Sequence, residues 1–168
     1  MNIRIQNVAL YAAGCVFLLG CRLVAAQEKS ASVDAHAATS ARFEDLKWQA
    51  IVPELGNDSP QISVVHVDPN THATQLFIRT PKAMHIPMHW HSANETHTMI
   101  LGSAVFEHGG KQEKLGPGGF NYLPAKMAHQ AWTSEGSVVF ITVDGAWDVN
   151  WTGNPPGKSD LGLSAPEF

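Results

Sequence analysis

The chain contains very little cysteine. Of its 168 residues only Cys15 and Cys21 carry a thiol, and both lie near the amino terminus. The remainder therefore has no disulfide, no cysteine nucleophile and no thiolate ligand for a metal. A domain without disulfides must be held together by its hydrophobic core, and 44% of the residues are hydrophobic.

Charged residues are also scarce. They make up 15% of the chain, and the formal net charge is −4 at pH 7. No stretch forms a basic stripe, which argues against a nucleic-acid partner. The combination of high hydrophobic and low charged content argues against a chain that is disordered throughout.

No hydrophobic run is long enough to span a bilayer. The apolar run Val8–Leu19 is too short for a transmembrane helix. It follows Arg4 and precedes Val24 and Ala26, whose side chains are small enough for the −3 and −1 positions of a signal-peptidase site. We therefore predict that residues 1–26 are a signal peptide and that the protein is exported, to the periplasm or outside the cell.

A second processing route stays open. The sequence LLGC at Leu18–Cys21 resembles a bacterial lipobox, in which the lipoprotein signal would end at residue 20 and Cys21 would carry a lipid anchor. In the first route, cleavage after Ala26 removes Arg4 and Arg22 and no acidic residue. The formal charge then falls from −4 to −6.

The rest of the chain is predicted to hold one domain. Residues 27–41 are small, polar and patternless, as in a flexible linker, residues 42–153 form the domain, and residues 154–168 form an extended C-terminal tail. Within the domain, short β-rich runs alternate with Gly and Pro turns, a pattern typical of an all-β, antiparallel sandwich or barrel. The runs are QISVVHV (61–67), ATQLFIR (73–79), MHIPMHWH (84–91), THTMILGSAVFEH (96–108, broken at Gly102), FNYLP (120–124), HQAWTS (129–134), GSVVFITVDG (136–145) and WDVNW (147–151).

The stretch HWHSANETHTMILG, residues 89–102, concentrates metal-binding side chains. Residues two apart on a strand face the same way, so His89 and His91 project together. After a short bend, Glu95, His97 and Met99 share one face of the next strand. If the two strands are neighbours in a barrel, three imidazoles and a carboxylate converge inside it, as a metal requires.

The same residues resemble the cupin family. His89, His91, Glu95 and Gly102 match its first motif, HxH(x)3–4E(x)6G, at every fixed position. Ala83 stands where this motif usually opens with Gly. This departure concerns turn geometry and leaves each ligand position filled.

The second cupin motif, G(x)5PxG(x)2H(x)3N, is matched more loosely. Gly118, Pro124 and His129 fit it. Lys126 stands where Gly is usual, and Thr133 stands where Asn is usual. The histidine of the motif is nevertheless present at its expected place.

The resemblance covers about residues 43–151 as one cupin domain. It implies a double-stranded β-helix, also called a jelly-roll barrel. The surrounding sequence is most similar to small single-domain metal-binding cupins of the ChrR-type and diketone-cleaving branch. The metal ligands implied by the resemblance are His89, His91, Glu95 and His129.

Three imidazoles and one carboxylate without sulfur suit one divalent transition metal, namely Fe, Mn, Zn, Ni or Cu. The sequence does not choose among these ions. On an octahedral ion, four protein ligands leave two positions open, which permits a small organic molecule or O₂ to bind.

Four further side chains are candidates near the metal. His97 is either a structural barrel histidine or a group that acts on the bound molecule, and we name it as the candidate catalytic residue. Along an extended strand it lies roughly 6.5–7 Å from Glu95, which predicts a place just outside the ligand set. Met99, Tyr122 and His85 are predicted to line the substrate site.

Two classes of function follow from these patterns. The first is an exported metal-dependent dioxygenase or other oxidoreductase that acts on a small oxygen-bearing organic molecule. The second is a non-catalytic metal- or ligand-binding module for sensing or storage. A third, an isomerase or sugar-modifying cupin, requires more acid–base residues than His97 and Tyr122 provide.

The expected partner is a small molecule. We also expect a homodimer, because cupin relatives often pair through sheet edges and the apolar run Gln61–Val67 is suited to such an edge.

Overall fold

The computed structural model describes residues 2–4 and 38–166, and the regular secondary structure of these residues consists almost entirely of β-strands. Three 3₁₀ turns, Phe43–Asp45, Pro53–Asp58 and Lys158–Asp160, accompany the strands. Among the described residues, no helix has the length and apolar character needed to cross a membrane. The strands are Asn2–Arg4 (β1), Gln49–Ala50 (β2), Gln61–Val67 (β3), Thr74–Thr80 (β4), Met84–Trp90 (β5), Glu95–Leu101 (β6), Ala104–His108 (β7), Lys111–Leu115 (β8), Phe120–Leu123 (β9), His129–Thr133 (β10), Ser137–Val143 (β11) and Asp148–Trp151 (β12).

The strands form two six-stranded sheets in which every pairing is antiparallel. Sheet A has the order β1-β12-β5-β10-β7-β8, and sheet B has the order β2-β3-β4-β11-β6-β9. Strands that follow one another in the chain alternate between the sheets at several points, as in a jelly roll. The predicted all-β, antiparallel jelly-roll barrel is confirmed.

The hydrophobic core lies between the sheets and surrounds the metal-binding motif. Its largest cluster joins strands of both sheets, and a second cluster lies farther along β6, β7 and β10. The first cluster contains Ile62, Leu76, Ile141, Val143, Trp147 and Val149, and the second contains Met99, Ala104, Phe106 and Ala131.

Gly102 separates β6 from β7, as the break in the sequence pattern predicts. Its φ of 68° lies in the left-handed region, which side-chain-bearing residues rarely adopt. A Cβ atom there would also lie 2.6 Å from Ser134 Oγ and 2.9 Å from Ser137 Cα. Both constraints explain why a glycine ends this strand.

The C-terminal residues pack against the barrel and are not simply extended. Leu161 pairs with Met84 of β5, and Asp160 Oδ1 lies 3.1 Å from His85 Nδ1. Pro156 is fully buried, and Leu161 packs on the cluster that contains Val52 and Met84. The expected tail therefore closes one part of the barrel, because its few apolar side chains fill a gap beside β5.

The predicted leader lies mostly outside the described residues. Residues 2–4 form β1, which pairs with β12, and residues 5–37 are not among those described. The signal peptide, the lipobox and most of the linker therefore stay predictions. Within the described part of the chain, β3 pairs with β2 only at Gln61 and Ile62, so the outer edge of β3 is largely open. The homodimer that was expected to form along this edge stays a prediction.

We expect Lys126→Gly to stabilise the protein. Lys126 has a φ of 65° in the turn between β9 and β10, where the cupin motif usually has Gly. A residue with a side chain loses about 1–2 kcal/mol of stability in the left-handed conformation, and Gly removes this cost. The greater conformational entropy of Gly in the unfolded chain offsets about 0.5–1 kcal/mol of that gain. The free energy of unfolding should therefore rise by about 0.5–1 kcal/mol in urea titrations. Ala125→Gly, one residue earlier and not at positive φ, should lower it; a loss of stability in both variants would contradict this account.

Candidate metal centre

Five donor side chains meet between the two sheets. His89 and His91 come from β5 and the residue after it, Glu95 and His97 from β6, and His129 from β10. All five are buried, with Glu95 only 1% exposed. The donor atoms of His89, His91 and His129 lie within 4.8 Å of one another, as do those of Glu95, His97 and His129. The structure thus brings together every residue proposed as a metal ligand and adds His97 to the group.

A β-bulge in β5 aims His89 into the barrel. His129 pairs with His89 and Ala131 pairs with Ile86, so β5 has one more residue than β10 across this interval. The extra residue reverses the alternation, and Ile86 and His89 both face inward. In an unbroken strand His85 would face the same way as His89, because the two are four residues apart. The extra residue between them turns His85 to the opposite face.

His85 does not line the cavity, which corrects the prediction. Its ring stacks on Trp132 at 4.8 Å, and its Nε2 lies 2.8 Å from Gln130 Oε1. The residue instead connects β5 and β10 to Asp160 of the C-terminal segment. The bulge at Pro87 and Met88 is the physical reason for this placement.

Hydrogen bonds fix the tautomer of each inward imidazole. In all four rings Nδ1 faces a carbonyl or amide oxygen, which can only accept, so Nδ1 carries the proton. The Nε2 lone pair of each neutral ring is then free for a metal. The pairs are His89 with Pro87 O (2.7 Å), His129 with Met127 O (3.1 Å), His97 with Asn121 Oδ1 (2.8 Å) and His91 with Asp148 O.

The carboxylate of Glu95 makes no full hydrogen bond. Neither of its oxygens has a partner of good geometry within residues 2–4 and 38–166, although the Trp147 indole N–H approaches closely enough to help lower its pKa. Its Oε2 lies 3.1 Å from His91 Nε2 and 3.3 Å from His97 Nε2. A buried carboxylate in this setting is strongly destabilising unless positive charge, from a protonated ring or a bound cation, balances it.

Burial dominates the pKa values of this site. It lowers the pKa of His89, His97 and His129, since it disfavours the charged ring; that of His129 falls to about 4. Burial also acts to raise the pKa of Glu95. Positive charge on a neighbouring ring, with His97 first, outweighs burial and lowers that pKa below its ordinary value, and a hydrogen bond from Trp147 acts in the same direction.

His97 lies closer to the other donors than strand geometry predicts. The expected separation of 6.5–7 Å applies to backbone positions two residues apart. The side chains of Glu95 and His97 lean toward each other inside the barrel, and their donor atoms are 3.3 Å apart. His97 is therefore a direct neighbour of the carboxylate, while its catalytic role stays a prediction.

The donors open onto a small cavity of about 90 Å³. Its wall is mainly apolar and includes Met99, Phe106, Val139 and Ile141. Met99 thus lies where the sequence placed it, although its contact with a ligand stays a prediction. One water molecule needs about 10–15 Å³ on the same measure of volume, so the cavity can hold a small molecule.

Tyr122 lies outside this cavity, which corrects a second prediction. Its side chain is 53% exposed on the outer face of sheet B. The alternation along β9 turns Asn121 and Leu123 inward instead. Asn121 was missed because the pattern of FNYL does not reveal which of its two faces is buried.

The loop between β5 and β6 is held by two aspartates that the motif does not contain. The Asp148 carboxylate accepts hydrogen bonds from the Ser92 backbone N–H (2.8 Å) and hydroxyl (2.6 Å). The Asp144 carboxylate accepts one from the Asn94 backbone N–H at 2.9 Å. These bonds fix the path of the chain between His91 and Glu95.

Two tryptophans of the C-terminal part of the domain complete the cavity wall. Trp151 packs on His89 with ring centroids 5.0 Å apart, and Trp147 lies 6.0 Å from His91. Within the described part of the chain, neither indole N–H makes a full hydrogen bond, although that of Trp147 approaches Glu95. From the sequence, residues 147–151 are predicted only as a β-rich run, because aromatic spacing alone does not show which cavity a ring lines.

A family model described as "Cupin domain" matches residues 75–144. This range includes the ligand motif, Gly102 and His129. Residues 75–144 therefore form a cupin domain, as the resemblance in the sequence predicted, and the chain has the cupin fold. Its closer placement in the ChrR-type and diketone-cleaving branch stays a prediction.

Solved structures show the same cupin fold. An RmlC-like cupin from Shewanella frigidimarina NCIMB 400 is 15% identical with a TM-score of 0.55, over 66% of this chain and 93% of that one. The polyketide cyclase RemF from Streptomyces resistomycificus is 18% identical with a TM-score of 0.55, over 70% and 87%. KdgF from Halomonas sp. is 19% identical with a TM-score of 0.52, over 61% and 92%. No curated protein sequence matches significantly.

We expect the metal-free protein to lose stability as the pH falls from about 6.5 to about 4. A histidine whose pKa is lowered in the folded state takes up its proton first in the unfolded state, so acid favours unfolding. For His129, with a folded pKa of about 4, the slope is at most about 1.4 kcal/mol per pH unit. Urea titrations of chelator-treated protein across this range measure it.

His129→Gln should reduce that slope, whereas His72→Gln, in an exposed turn, should not change it. An unchanged slope in His129→Gln would show that this ring does not stay neutral in the folded protein.

Proposed function

We propose that this cupin is a metal-dependent oxidoreductase of the dioxygenase type that acts on a small oxygen-bearing organic molecule. The observation that carries the proposal is the buried Glu95 carboxylate, which has two imidazole Nε2 atoms within 3.3 Å and no full hydrogen bond in the described part of the chain. A divalent cation relieves this arrangement by placing positive charge among the five donors.

The residues present fit a transition metal. The unpaired carboxylate and the Nε2 atoms converge, and all four rings hold the tautomer that exposes Nε2. Imidazole and carboxylate without sulfur suit Fe, Mn, Zn, Ni or Cu. His89, His91, Glu95 and His129 are the proposed ligands. When bound, the metal would polarise an oxygen-bearing ligand and, if it is a redox-active ion such as Fe, permit reaction with O₂.

The rest of the site selects and shields the ligand. The apolar wall shields the donors, and the cavity of about 90 Å³ suits a small ligand beside the metal. Among the described residues, the indole N–H of Trp151 is an unpaired donor on that wall, whereas that of Trp147 approaches Glu95. The Trp151 donor favours a ligand that carries oxygen acceptors.

We expect the purified protein to bind one divalent metal and, when loaded with Fe(II), to consume O₂ with a panel of small diketones, 2-hydroxy acids and phenols. His89→Ala, His91→Ala and His129→Ala should each lose most of the metal, since each removes a rigid donor. Elemental analysis and an oxygen electrode give the two readouts. His72→Gln, in an exposed turn, is the matched histidine control and should keep both.

The outcomes separate the two classes of function. Bound metal without O₂ consumption over the whole panel would favour a non-catalytic metal- or ligand-binding cupin. Full metal content in all three alanine variants would show that the metal centre is wrongly assigned.

We also propose that the protein acts after export. A cleaved leader is supported by the charged start of the chain, the apolar run Val8–Leu19 and the small residues Val24 and Ala26. Cleavage would remove β1 and leave β12 as an edge of sheet A. We expect intact-mass analysis of the periplasmic protein to find a chain that begins at Gln27. A lipid-modified Cys21 would indicate the lipoprotein route, and a retained Met1 in the cytoplasmic fraction would contradict export.

A further inference from the structure

His97 occupies a position among the donors that the ligand motif does not include. Its Nε2 lies 3.3 Å from Glu95 Oε2, and His91 Nε2 lies 3.1 Å from the same oxygen. The two rings therefore make nearly equal contacts with the carboxylate. The donor atom of His97 also lies within 4.8 Å of those of Glu95 and His129.

These distances match the spacing of ligands around a single ion. Donors about 2.1 Å from an octahedral ion lie about 3.0 Å apart when they are neighbours and about 4.2 Å apart when they are opposite. Both contacts of Glu95 Oε2 are close to the shorter value. Relative to Glu95, His97 thus meets the same distance criterion as His91, which belongs to the motif. His129 connects the two, since its donor atom lies within 4.8 Å of those of His89 and His91 in one group and of those of Glu95 and His97 in the other.

The position of the proton on the His97 ring decides whether His97 and Glu95 share a cation or a hydrogen bond. With Nδ1 donating to Asn121 Oδ1, Nε2 presents a lone pair to a carboxylate oxygen, so a cation must lie near both. The rival arrangement turns the Asn121 amide and places the proton on Nε2, which then donates to Glu95. In the rival arrangement His97 is not a ligand.

We infer that His97 is a fifth protein ligand of the metal, so that the centre contains four histidines and one glutamate. The inference rests on the proposed metal-binding function and adds to it. In the structure, Asn121 Oδ1 accepts the hydrogen bond from His97, and Asn121 Nδ2 has no partner in the described residues. The bond to His97 is thus the one polar contact of that buried side chain among those residues.

A fifth ligand changes what the site can accept. On an octahedral ion, five protein donors leave one open position instead of two. A ligand then binds through a single oxygen atom, and a chelating diketone or 2-hydroxy acid requires His97 to leave. Monodentate oxygen ligands such as carboxylates, alcohols and phenols are the class that the closed five-donor site fits.

Proton NMR of the Co(II)-loaded protein can count the bound rings directly. Each imidazole that binds through Nε2 and keeps its Nδ1 proton gives one strongly shifted, solvent-exchangeable signal, and burial of these protons slows their exchange. With His89, His91, His97 and His129 bound, wild type should show four such signals, because all four Nδ1 atoms face oxygen acceptors. His97→Gln should show three.

His85→Gln is the matched control, since it alters a histidine of the neighbouring strand outside the cavity and should keep four signals. Three signals in both wild type and His97→Gln would overturn the fifth ligand and leave the proposed metal centre intact. Co(II) that fails to bind at all would overturn both. Weaker metal affinity in His97→Gln would not decide between ligand and neighbour, which is why the ring count is the chosen readout.

A second measurement tests the number of open positions. Visible spectroscopy of the Co(II) protein reports binding of azide, which needs one position, and acetohydroxamate, which needs two. If His97 is a ligand, His97→Gln should bind acetohydroxamate at least about tenfold more tightly than wild type and bind azide with similar affinity. Equal acetohydroxamate affinity in the two proteins would contradict the five-donor centre.

Discussion

The buried charge of Glu95 is the constraint on which the rest of this structure depends. A carboxylate that is 1% exposed and makes no full hydrogen bond among the described residues destabilises the fold by several kcal/mol unless positive charge accompanies it. Burial lowers the pKa of His89, His97 and His129, which disfavours their charged forms. A cation bound beside Glu95, as the proposed function requires, would supply that positive charge.

The scaffold holds the donors in place from outside the site. A bulge in β5 turns His89 inward, and the aspartates Asp144 and Asp148 fix the loop that leads to Glu95. The two sheets contribute different donors, so the centre forms only when they pack face to face. Folding of the core therefore also assembles the site, and an ion that binds there would stabilise the packed state by mass action.

Strand alternation predicted much of this arrangement and failed at identifiable places. It located nearly every strand of the domain and placed Glu95, His97 and Met99 on one inward face. It misplaced His85 because a bulge adds a residue that the sequence does not mark. It misplaced Tyr122 because the two faces of a short strand are equivalent until a partner sheet covers one of them. The docked C-terminal segment was also missed, since its contacts with β5 are distant in sequence.

The four imidazoles differ in what orients them. His89, His91 and His129 each donate to a backbone carbonyl, which is present whatever side chain that residue carries. His97 donates to the side chain of Asn121, which belongs to another strand. Its orientation therefore depends on a specific pair of residues, whereas the other three follow from the backbone of the fold. The backbone of the fold thus orients three imidazoles. In the inferred five-donor centre, the pair His97 and Asn121 would set the number of open positions at the metal.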